Sequence, residues 1–63
     1  MIEPGDTLYG FCAGHFGRDW WGDKVVVALG RDWVVARENG HPVFAAVDPA
    51  DLVQYLRPEE ADS

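Results

Sequence analysis

The sequence predicts an all-β fold, a small barrel of five strands near residues 7–12, 24–29, 33–38, 42–47 and 52–56. Two observations carry this. Between Lys24 and Val47, three short runs rich in β-branched and aromatic residues are separated by tight-turn signals, the pattern of an antiparallel meander. Asn39-Gly40 is the stronger turn, because a two-residue type I′ loop needs positive φ at both central positions and Asn-Gly tolerates that best. Gly30-Arg31 suits a type II′ loop with glycine at its first central position.

Those turns set a register. Glu38 is expected opposite His41, Val35 opposite Phe44 and Trp33 opposite Ala46; Leu29 is expected opposite Asp32, Val27 opposite Val34 and Val25 opposite Ala36. Side chains alternate between faces. One face then carries Val25, Val27, Val34, Ala36, Val43 and Ala45, and the other Val26, Ala28, Trp33, Val35, Phe44 and Ala46. Neither is polar, whereas a half-exposed antiparallel sheet has one wet face. Both sides therefore call for cover, from the chain's own ends or from a partner. Pattern leaves the inner face open; the expected core is Leu8, Val25, Val27, Val34, Ala36, Val43, Ala45 and Leu52. Phe11, Phe16, Trp33, Phe44 and Tyr55 are expected to cap it or cover the outside.

Met1 to Glu3 reads as a frayed start, and Pro4-Gly5 as the centre of a type II turn that Asp6 closes. Thr7 to Cys12 reads as the first strand, bent at Gly10. Ala13 to Asp23 is a loop with three glycines and no sustained period, yet it holds His15, Phe16, Trp20 and Trp21. Loops are ordinarily polar. Phe16 and one tryptophan can fold back over the barrel end, or the loop recognises something through an exposed Trp beside His15, Arg18 and Asp19; the two are compatible if one tryptophan points in and the other out. After the meander, Asp48 is a good N-cap and Pro49 a good first helical residue. An eight-residue helix or a 3₁₀ turn followed by strand 52–56 fits these signals. The second is preferred because the first strand needs a partner, and a short 3₁₀ turn before the last strand is how SH3-like barrels close. The domain is expected to span 1–57, with 58–63 a disordered acidic tail.

Composition narrows the function classes. The net charge is −6, and the five basic residues are scattered among eleven acidic ones. Nucleic-acid affinity rests on clustered Lys and Arg, so nucleic acid is not an expected ligand. The single Cys12 allows no intrachain disulfide, and no Cys/His set has metal-ligand spacing. No phosphate-binding or calcium loop is present, His41 reads as a solvated turn residue, and a His15/Asp19 or His15/Cys12 pair is set aside because a 63-residue barrel is expected to leave little volume for a pocket. No membrane span, cofactor, metal or catalytic residue is expected, and the reading is of a cytoplasmic, non-enzymatic protein.

Two resemblances add to this. Gly5-Asp6-Thr7-Leu8, with Phe16-Gly17 following, resembles the opening of LysM domains, βααβ modules that bind N-acetylglucosamine glycans. That likeness implies sugar stacking on tryptophan. Gly5-Asp6-x-x-Tyr9-Gly10-Phe11, Gly14-x-Phe16-Gly17-Arg18-Asp19, Trp33-Val34-Val35-x-Arg37 and Asp51-Leu52-x-x-Tyr55 are together similar to short proteins of actinobacterial phages and their hosts. This second resemblance implies a phage-type accessory protein and supplies no chemistry. The leading expectation is a protein–protein interaction module acting on a host or phage protein. Its contact residues would be His15, Phe16, Arg18, Asp19, Trp20 and Trp21. A LysM-like glycan binder and a self-associating homodimer are the alternatives.

Overall fold

A computed structural model describes residues 1–17 and 21–56. The fold is all-β: four antiparallel strands in one open sheet, in the order β1-β2-β3-β4. They are β1 (Thr7–Leu8), β2 (Lys24–Leu29), β3 (Val34–Glu38) and β4 (His41–Ala45). A 3₁₀ turn at Cys12–Gly14 follows β1, and a 3₁₀ helix at Pro49–Tyr55 follows β4. No helix among the described residues is long and apolar enough to cross a membrane.

The β3–β4 hairpin follows its turn chemistry. Asn39 and Gly40 sit at φ 53° and 82°, and Glu38 pairs with His41, Arg37 with Pro42 and Val35 with Phe44. The β2–β3 connection departs from expectation. Gly30 does not adopt the positive φ of a type II′ turn, and the loop runs from Gly30 to Trp33, closed by the Gly30 N–H donating to the Trp33 carbonyl at 2.9 Å. A Cβ on Gly30 would collide with the Trp33 indole, so this glycine makes room for a ring.

A bulge at Val27 then changes the face of β2. Leu29 pairs with Val34 and Ala28 with Val35, but beyond the irregularity Val26 pairs with Ala36 and Val25 with Arg37. One extra residue in a period-two element exchanges its sides. Val26 is buried, while Val25 and Val27, expected in the core, are exposed. On β3 and β4 the expected inner residues Val34, Ala36, Val43 and Ala45 are all buried.

The chain's own ends cover the inner face. Ile2, Leu8, Cys12, Phe16 and Leu52 join the four strand residues and Val26 in one cluster, with Leu29, Val47, Tyr55 and Leu56 packed against it. The start does not fray at Ile2, which is among the most buried residues. The Pro4-Gly5 turn is as expected: Gly5 has φ 98°, the Asp6 N–H donates to the Glu3 carbonyl, and the Glu3 N–H donates to the Asp6 carboxylate. The opposite sheet face stays bare at Val25, Val27 and Phe44.

Two strands differ from expectation in length. β1 ends at Leu8, since Gly10 takes φ 82° and the backbone turns into the Cys12–Gly14 segment. In place of a fifth strand, the Asp48 side chain accepts from the Ala50 N–H and Pro49 opens a 3₁₀ helix that runs to Tyr55. Only Leu56 reaches the sheet, as an isolated bridge to Leu8, beside a Tyr9 N–H to Tyr55 carbonyl bond. The expected tail, 58–63, lies outside the described residues.

Candidate functional site

The loop between β1 and β2 is built on a strained turn. Cys12 and Ala13 take φ 55° and 53°, and Gly14 follows at 78°. The left-handed region costs a non-glycine residue roughly 1–2 kcal/mol, so two in succession persist only where surrounding contacts hold them. Those contacts are visible. The Gly14 N–H donates to the Phe11 carbonyl and the His15 N–H to that of Cys12. The Cys12 side chain is buried, its Sγ 3.5 Å from the Gly10 carbonyl.

Lys24 ties the two ends of this loop together from inside. Its side chain is fully buried, and Nζ donates at 2.6 Å to the carbonyls of both Gly10 and Gly22. Nζ also lies 3.4 Å from Glu38 Oε1 and 5.5 Å above the Phe16 ring. Glu38 Oε2 in turn accepts from the Gly22 N–H at 3.1 Å. An isolated buried ammonium would be very costly; carbonyls, a carboxylate and a ring face offset the lost water. The bulge at Val27 makes this possible, because it sets the parity that turns Lys24 and Val26 inward.

On the outer side of that anchor, Phe11 and Trp21 stack with centroids 4.1 Å apart and planes 14° from parallel. Phe11 is half-buried, whereas Trp21 is 65% exposed. The pair forms an aromatic ledge able to take an apolar, planar or cationic group from a partner. Of the six residues singled out from the sequence, Phe16 belongs to the core, His15 is exposed on the loop, and Trp21 is the exposed half of the stack. Arg18, Asp19 and Trp20 lie outside the described residues. Phe11, Lys24 and Glu38 were not foreseen as parts of the site. A lysine opening an apolar strand and a glutamate closing one become a signal only once the fold joins them to Gly10 and Gly22.

Burial pushes the Cys12 thiol up, against a smaller lowering by the Lys24 charge. A thiol so placed stays protonated near neutrality and is a poor nucleophile. Among the described residues, no group of three His, Cys, Asp or Glu side chains is arranged to hold a metal ion. A separate open cavity of about 330 Å³ lies between Ile2, Leu29, Pro49 and Val53, with Arg31 and Asp48 in its lining. That is more space than a 63-residue barrel was expected to leave. Comparison with protein-family models, with curated proteins and with solved structures finds no match to this chain.

Proposed function

We propose that this chain is a non-enzymatic protein-interaction module of SH3-like type, a phage-type accessory protein that engages a host or phage protein through the loop between β1 and β2. One observation carries the reading: Trp21 stands largely in solvent, stacked on Phe11, on a loop whose two ends a buried lysine fixes. A large apolar ring exposed on a mobile loop would cost entropy on binding. Held in place, it gives contact area at little ordering cost, which is how interface hot spots work. The acidic surface suits a partner with a basic patch. The SH3-like assignment draws support from the bridge of Leu56 to the free side of β1, after a 3₁₀ helix. The glycan-binding alternative has less support, since β2 runs where a second LysM helix would lie.

The test is sedimentation velocity of fluorescently labelled protein in an actinobacterial lysate. The unaltered chain should enter a discrete larger complex, and Trp21→Ala should remain at the size of the free protein with an unchanged circular dichroism spectrum. Equal complex formation by a folded Trp21→Ala variant would remove the loop from the interface.

A further inference from the structure

We propose that β4 is a self-pairing edge, joining two copies of this chain through antiparallel strands centred on Phe44. The inference concerns a surface apart from the β1–β2 loop and does not rest on the reading of that loop.

Backbone direction comes first. The Val26 N–H donates to the Asp6 carbonyl, and the Val26 carbonyl accepts from the Gly5 N–H, so Val26 faces β1. Antiparallel alternation then turns Val25 toward its partner Arg37, and turns Arg37 and Val35 back toward β2. Ala36, Val34 and Glu38 therefore face β4 and bond Val43, Ala45 and His41. The N–H and C=O of Phe44, the carbonyl of Pro42 and the N–H of Ala46 are left pointing away from the sheet. On the other side of the sheet, Leu56 and Tyr55 bond Leu8 and Tyr9. Among the described residues, no strand pairs with the outer side of β4.

Such edges are usually guarded by charge. From His41 to Val47 there is no Asp, Glu, Lys or Arg, in a chain carrying eleven acids. A second copy therefore meets no like-charge repulsion along this strand, although the rest of the surface repels it. Pro42 is the one guard, and it selects a register. With Phe44 opposite Phe44 of the second copy, those two residues exchange both backbone bonds. Each Ala46 N–H meets the Pro42 carbonyl of the other copy, and the missing proline N–H is the only bond forgone at that pair.

Side chains favour the same register. Phe44 is 57% exposed on the uncovered face, which Val25 and Val27 continue at 45% and 44%. Directly opposed residues in a hydrogen-bonded antiparallel pair bring their Cα atoms to about 5.5 Å, close enough for the two phenyl rings to pack. Pairing along one five-residue strand with the two Phe44 rings falls short of the about 800 Å² per partner of a stable interface. The dimer is accordingly weak and reversible, forming in the upper micromolar range and above.

The experiment is sedimentation equilibrium from ~10 μM to ~1 mM on the unaltered chain, on Phe44→Asp and on Ala46→Pro, a range bracketing such affinities. Both altered positions are exposed, and Ala46→Pro removes only the outward N–H. Each variant should raise the dissociation constant at least about tenfold while leaving melting temperature nearly unchanged, as loss of an interface anchor does. Isotope-filtered NOE measurements on a mixture of labelled and unlabelled unaltered chain should show contacts between Phe44 rings of different copies. They decide the register even if a variant misfolds. A chain monomeric at ~1 mM, or a dimer lacking the Phe44 contact and indifferent to the folded variants, overturns the proposal; a foreign strand or another face would then be the occupant.

Discussion

Lys24 and Glu38 meet in the interior with Nζ 3.4 Å from Oε1, the lysine wholly buried and the glutamate nearly so. Breaking such a pair from one side leaves a buried charge without its counterpart. Lys24→Met should therefore lose about 3–5 kcal/mol of unfolding free energy. Replacing both residues, as Lys24→Met with Glu38→Leu, should lose at least about 1 kcal/mol less than the single lysine change, since no unpaired charge remains. Urea denaturation of these two variants and of Glu38→Leu alone checks this. If the double change is as damaging as the sum of the single ones, the two side chains are not energetically coupled.

Asn39 holds φ 53° at the first position of the β3–β4 turn. Asn39→Val puts a β-branched residue in the left-handed region and should cost about 1–2 kcal/mol. Asn39→Gly should stay within about 0.5 kcal/mol of the original, because glycine reaches that φ freely but loses more entropy on folding. Thermal melts of both variants give the comparison.

Gly30 lies so close to the Trp33 indole that a Cβ has no place. Trp33 is partly exposed, so Gly30→Ala should expel the ring at a cost of about 1–3 kcal/mol rather than unfold the chain. The Trp33 indole N–H resonance in a proton–nitrogen spectrum should shift by far more than those of the other tryptophans. An unmoved resonance would mean that the backbone gives way instead.

Cys12 supplies a pH dependence whose sign follows from its environment. Burial raises the thiol above its ordinary value of 9.0. The unfolded chain then releases this proton at lower pH than the folded one. Between the two values the unfolded state binds fewer protons, so stability present below about pH 9 declines as pH rises further. Cys12→Ala should show a shallower alkaline decline in urea midpoint than the unaltered chain. Identical slopes would assign the decline to other groups.

What local chemistry dictates was legible in the sequence by itself: the bounds of β2, the Asn39-Gly40 hairpin with its register, the Pro4-Gly5 turn and the Asp48-Pro49 helix start. Turn dihedrals and caps depend on a few neighbouring residues, so each carries its own signal. The inner side of β2 depended on tertiary structure alone. Two apolar faces made the pattern indifferent to parity, and the bulge at Val27 settled it by turning Lys24 toward Gly10, Gly22 and Glu38. The same holds for the last segment, where a 3₁₀ helix capped by Asp48 and packed through Leu52 occupies residues read from the sequence as a fifth strand, 52–56. The aromatic loop announced itself by composition. That Phe16 is buried while Trp21 leans outward on Phe11 follows from where the buried lysine pins its ends, a long-range contact that no local period encodes.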